Sequence, residues 1–221
     1  MIWYKKNINI GYKRIDAISK VSQDIILLKI SKSNLKNNIT IKGGVVMHNI
    51  SHDIWRATRD LDLDFIKYSL EDKSIISFIN KLNKVDDTIK IEIVGDIAPL
   101  HHQDYDGKRV NIRLIDNKNN VIDTKLDIGV HKLLDIEQDN YCFDLNVLNE
   151  NVNLLINSPE QIFVEKLKSL LKFGIRSTRY KDIFDFYYLI NNSIIDRDKL
   201  LKYINIIIFN DETMREKTIQ D

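Results

Sequence analysis

Asp60 and Asp62 stand two residues apart, the spacing that puts both carboxylates on one face if the segment is a strand. From Asp60 to Phe65 the alternation is strict. Leu61, Leu63 and Phe65 take one face, and Asp60, Asp62 and Asp64 the other. Asp64 continues the acidic face, so the spacing alone allows either Asp60 with Asp62 or Asp62 with Asp64 as the working pair. Adjacent carboxylates are the hard oxygen ligands that Mg²⁺ takes, usually in combination with substrate phosphates. Two such ions about 3.5–4 Å apart can clamp the attacking and leaving oxygens of a phosphoryl displacement. A third carboxylate, Asp127, lies on the polar face of a second predicted strand, between Leu126 and Ile128. Upstream, Gly43-Gly44 lets backbone N–H groups come close to a phosphate, and the helix predicted to follow adds its N-terminal dipole.

A second group lies further along the chain. Lys166 falls mid-helix in Glu165-Lys166-Leu167, and Arg179-Tyr180-Lys181-Asp182-Ile183-Phe184-Asp185 opens the next helix. Lys166, Arg179 and Lys181 would converge on a triphosphate if this helix pair packs over the sheet edge. Asp182 and Asp185 fall in a first turn, where the macrodipole favours anions. The plainer reading of the same residues is surface ion pairs and helix caps. Other features invite only plain readings. His48 and His52 are four apart but no Glu follows His48, as a zinc metalloprotease helix requires. His101-His102 reads as an exposed loop, Cys142 as a buried strand residue, and Phe184, Tyr187 and Tyr188 as helix core. No Walker loop, dinucleotide fingerprint or Gly-x-Ser-x-Gly is present.

These residues need elements to hold them. Apolar steps of three and four predict an amphipathic helix over 16–31, and short periodic runs predict helices over 45–50 and 73–85. Strands are predicted over 39–42, 60–65, 88–94, 110–115, 121–130, 141–145 and 152–156, with a hairpin turn over 116–120. Ser158-Pro159 marks a helix start, Ser as N-cap and Pro at the first helical position. Helical periodicity then persists, with breaks near Gly174 and Asn191-Asn192. The expected division is a mixed α/β domain over 1–157 and a helical segment over 158–221.

With 221 residues the chain is long enough to bury a sizeable core. Lys+Arg of 33 against Asp+Glu of 32 gives a net charge of +1, so any nucleic-acid contact must come from a local patch such as Arg176, Arg179 and Lys181. One cysteine excludes an internal disulfide. No apolar run approaches a membrane span and 1–14 lacks a signal peptide's apolar stretch, so a cytoplasmic protein with no membrane partner is expected. Ile supplies about a sixth of the chain, far above ordinary usage. With abundant Asn and Lys, that skew fits an AT-rich genome, so lysine clusters carry little functional weight.

The ordered set Lys42-Gly43-Gly44, Arg56-x-Thr58-x-Asp60-x-Asp62, Asp127-Ile128-Gly129, Glu165-Lys166-Leu167 and Arg179-x-Lys181-Asp182-x-x-Asp185 resembles the AbiEii/AbiGii nucleotidyltransferase toxins, within the DNA polymerase β-like nucleotidyltransferase superfamily. The resemblance runs from about Ile39 to Leu189. It implies an α+β fold, a mixed nucleotidyltransferase sheet flanked by helices with a C-terminal helical segment. It implies Asp60, Asp62 and Asp127 as metal-binding and catalytic carboxylates, Lys166 as a catalytic and nucleotide-binding residue, and Gly43, Gly44, Lys181, Asp182 and Asp185 as nucleotide-binding. Two Mg²⁺ ions, an NTP substrate, a tRNA acceptor and a cognate antitoxin protein are implied with them. Where many superfamily members carry Gly-Ser this chain has Gly43-Gly44, so position 44 offers no hydroxyl to a phosphate. Transfer to a small molecule or a protein, or a domain that binds nucleotide without catalysis, are the alternatives.

Overall fold

A computed structural model describes residues 8, 11–100, 107–133, 135–174 and 180–214. His101, His102, Arg176 and Arg179 lie outside the described residues. The chain divides into two compact units: Met1–Leu134 with Gln138–Ile156, and Asp135–Glu137 with Asn157–Asp221.

The first unit is built on one mixed sheet. Its strands are β1 (Ile39–Lys42), β2 (Leu61–Phe65), β3 (Ile89–Ile93), β4 (Ala98–Pro99), β5 (Lys108–Asp116), β6 (Val121–Val130), β7 (Asp139–Leu145) and β8 (Glu150–Ile156). Their order is β3-β5-β6-β2-β1-β8-β7, with β4 also on β5. The pairs β2–β6 and β1–β8 are parallel and the others antiparallel. β1 and β2 therefore sit at the centre, where Ile39, Ile41, Leu61, Leu63 and Phe65 are all buried.

Three helices accompany the sheet: α1 (Arg14–Lys32), α2 (Gly43–Ser51) and α3 (Asp72–Asn83). α3 packs on the Leu61/Leu63/Phe65 face, where Phe78 meets Phe65 edge-on at 5.3 Å between centroids. Ser22 of α1 reaches Thr124 on the same face of β6. The helix predicted as amphipathic over 16–31 is instead buried nearly all round, including Lys20, Gln23, Asp24 and Lys29. Buried polar groups are tolerated only with partners. Lys20 pairs with Asp24 at 2.5 Å, and Lys29 donates to Asp86 Oδ2 at 3.1 Å and to two backbone carbonyls.

One plain reading is corrected. Cys142 is exposed, because Phe143 and Leu145 set the buried phase of β7 and a period of two turns Cys142 outward. His48 is buried; its Nδ1 donates to Asp53 O at 3.1 Å and its Nε2 is hydrogen-bonded with Tyr12 Oη at 2.7 Å. Burial and nearby Lys20 depress its pKa to about 4. His52 ends α2 in the left-handed region.

The second unit comprises α4 (Pro159–Phe173), α5 (Tyr180–Asn191), α6 (Arg197–Ile204) and a π-helical turn, Asn205–Phe209. Ser158 caps α4 by accepting from Gln161 N, and Asp196 caps α6 by accepting from Lys199 N, each worth ~1 kcal/mol. The core gathers Ile136, Val164, Tyr203, Ile207, Ile208 and Met214. Ile136 brings Asp135–Glu137 into this unit, which the sequence did not indicate. The core reading of Tyr187 is also corrected. It is 67% exposed, because α5 turns Asp182, Asp185 and Leu189 inward. Phe184 and Tyr188 are half-buried and stack on each other.

Candidate active site

Four neighbouring strands bring their charges into one row. Lys42 of β1 stands opposite Asp62 of β2, Asp62 opposite Asp127 of β6, and Asp127 opposite Arg109 of β5. Directly opposed residues share a face, so the row reads cation, acid, acid, cation. Asp60 precedes β2 on the same face and pairs with Lys125 Nζ at 3.0 Å. Asp64, one step further, faces Thr40 and Gly129 and is paired with Lys42 at 2.7 Å. Asp62 meets the third carboxylate, whereas Asp64 meets a glycine.

This face is not solvated in the way a polar strand face usually is. Asp64 and Asp127 are buried, and Asp62 is partly so. Burial, with repulsion from Asp127, Asp60 and Asp64, pushes the Asp62 pKa up to about 6 against the opposing pull of Lys42. A cation placed between these carboxylates would relieve that repulsion, and the donor set, all carboxylate oxygen, suits Mg²⁺. The residues therefore fit the ion. They are not poised around it, however: among the described residues no three His, Cys, Asp or Glu side chains converge as a ligand set. Asp60 is turned to Lys125, and Asp127 is held by Arg109.

The glycine pair is fitted to this row. Gly43 has φ +65°, and a Cβ there would lie 2.8 Å from Asp62 Oδ2. A Cβ on Gly44 would lie 2.7 Å from Thr58 Oγ1. The α2 first turn has no side-chain cap from Lys42, which leaves first-turn N–H groups for an anion beside Asp62. Position 44 carries no hydroxyl, and the side chain that fills the space beside it is that of Thr58. Gly44→Ser is therefore expected to destabilise the unit by about 1–3 kcal/mol through overpacking. Adding Thr58→Ala should restore only part of the loss, as read in a denaturant titration, because the Cβ that Ala keeps would still lie 2.9 Å from the added Cβ.

Several residues of this site were missed in the sequence. Gln23 of α1, almost wholly buried, donates to Thr58 O at 2.9 Å and Asp60 O at 3.4 Å, tying down the segment that carries Asp60. Nothing in the sequence marks it. Lys42, Lys125 and Arg109 are ordinary strand cations until the register is known.

In the second unit Lys166, Asp182 and Asp185 come together. Lys166 Nζ pairs with Asp182 and, at 3.0 Å, with Asp185 Oδ2, so this group is a buried ion triad and not a set of surface pairs. Lys181 is exposed on α5.

Residues 25–211 match the family described as nucleotidyl transferase AbiEii toxin, type IV toxin–antitoxin system. The chain belongs to that family. The AbiEii assignment makes it a member of a group of nucleotidyltransferase toxins. Among solved structures, an antigenic nucleotidyltransferase-like protein from Paracoccidioides brasiliensis is similar at 18% identity and a TM-score of 0.47, over 86% of this chain and 77% of that one. Comparison with curated proteins gave no match. Among the described residues no helix is long and apolar enough to cross a membrane.

Proposed function

We propose that this AbiEii-family chain is a Mg²⁺-dependent nucleotidyltransferase of the cytoplasm that moves a nucleoside monophosphate from an NTP to the end of a tRNA. The observation that carries the reading is the register that sets Asp62 opposite Asp127, with Asp60 beside them and Gly43 against the Asp62 carboxylate. Asp60, Asp62 and Asp127 would hold two Mg²⁺ ions, which when bound neutralise the triphosphate. The first-turn N–H groups at Gly43 and Gly44, with the Thr58 hydroxyl, would hold phosphate oxygens. An acceptor hydroxyl oxygen bonds to the α-phosphorus, the bond from that phosphorus to pyrophosphate breaks, and the hydroxyl proton passes to an Asp127 oxygen. Catalysis of this kind is mostly positioning and electrostatics. Lys166, Lys181, Asp182 and Asp185 are proposed as nucleotide-binding residues, on the family resemblance. A cognate antitoxin is the protein partner the family implies.

The test is incubation with each α-labelled NTP, Mg²⁺ and total bacterial RNA, resolved on a denaturing gel. Label in a tRNA-sized band that disappears with Asp60→Asn is the expected result. Label confined to protein or to small molecules would move the acceptor elsewhere, and no label in any fraction would count against transfer itself.

A further inference from the structure

Resting on that reading of the carboxylates, we propose that Arg109 is a latch on Asp127, which metal must displace before the site can assemble. Arg109 donates from Nε to Asp127 Oδ1 at 2.7 Å and from Nη2 to Oδ2 at 2.6 Å. Both oxygens of the third carboxylate are thus engaged in the strongest common form of side-chain hydrogen bonding, a charge-assisted fork.

The asymmetry of exposure shows which partner can leave. The Asp127 side chain is 3% exposed and that of Arg109 is 38%. Asp127 is fixed mid-strand among buried neighbours, whereas the guanidinium has a route to solvent. Arginine does not lose its proton in proteins, so release comes by movement of the side chain and not by neutralisation. The guanidinium supplies the single positive charge that a buried carboxylate demands when no metal is there. The failure of the three carboxylates to converge follows directly, because Asp127 faces Arg109 and Asp60 faces Lys125. The latch keeps a strongly acidic site folded without metal and sets a threshold of cation that must be exceeded before it loads.

The experiment is Mn²⁺ binding by electron paramagnetic resonance at pH 8, without nucleotide, on the full chain. Wild type is compared with Arg109→Gln, Arg109→Lys and Asp62→Asn. Losing a charge-assisted fork to Asp127 should tighten Mn²⁺ binding roughly ten- to hundredfold in Arg109→Gln. Arg109→Lys keeps the charge but not the fork, and should be tighter than wild type by a smaller factor. Asp62→Asn should bind weakly. Equal or weaker binding in both Arg109 variants overturns the latch while leaving the carboxylate site standing. Tightening in Arg109→Gln with Arg109→Lys at the wild-type value also overturns it, since general charge then explains the change. Absence of Mn²⁺ binding in every chain, with or without added NTP, overturns the metal site and the latch together.

Discussion

Asp62→Asn is expected to raise the thermal midpoint of the metal-free protein by roughly 3–6 °C while abolishing nucleotidyl transfer. In the folded chain the Asp62 pKa is pushed up to about 6, by burial first and then by Asp127, Asp60 and Asp64. Its unfolded value is near 3.8. A carboxylate whose folded pKa is raised contributes stability that is full below the unfolded pKa and is lost as pH rises through the folded one. At neutral pH the ionised group therefore costs stability. After discounting for its partial solvent contact, that cost is about 1–2 kcal/mol. Asn has nearly the same shape, keeps clear of Gly43 as Asp does, and carries no charge. The gain should be largest above pH 7 and vanish near pH 4, which differential scanning calorimetry across that range would show. A variant no more stable than wild type at pH 8 would mean that Lys42 already neutralises the site. Stability exchanged for function at one residue is what an active site of crowded carboxylates should display.

The second large effect is expected in the helical unit. Lys166→Met should destabilise it by about 3–5 kcal/mol, because removing one member of a buried ionic group leaves its partners uncompensated. Asp185 is fully buried and Asp182 nearly so, both against the Lys166 ammonium. Replacing the acids as well should recover much of the loss, so Lys166→Met with Asp182→Asn and Asp185→Asn is expected to be more stable than Lys166→Met alone. Near-additive losses in that cycle, followed by urea unfolding, would show the triad to be uncoupled. This structural duty also bears on how Lys166 is tested for nucleotide binding. A loss of activity in Lys166→Met is interpretable only beside its unfolding curve, and Arg, which keeps the charge, is the more informative replacement.

Much of this was legible in the sequence, and the limits follow the range of the interaction concerned. Strict alternation from Leu61 to Phe65 locates β2, and Ser158-Pro159 locates the start of α4, because both signals are local. The hairpin also contained more than was drawn from it. Its turn is centred on Lys118, and antiparallel pairing matches residues equidistant from that centre, which puts Arg109 opposite Asp127. The parallel pairing of β2 with β6, which sets Asp62 against Asp127, has no such marker, since α3 and three strands separate the two in the chain. The phase of Cys142 was misjudged for a related reason: its apolar neighbours Tyr141 and Phe143 fix a face but not which face is inward. Burial of Lys20, Asp24 and Lys29 on α1 was illegible because their partners become partners only after folding. The Thr58 hydroxyl beside Gly44 came from the same source, a contact across a loop that no spacing rule describes.

Asp60, Asp62 and Asp127 are proposed together to hold the metal-bound nucleotide. The most direct measurement is anomalous diffraction from crystals of the full chain grown with Mn²⁺ and a non-hydrolysable NTP. Anomalous peaks in contact with the carboxylates of Asp60, Asp62 and Asp127, with Arg109 moved off Asp127, are the expected result. Nucleotide and manganese bound away from these three carboxylates, with the Arg109–Asp127 fork intact, would contradict the account.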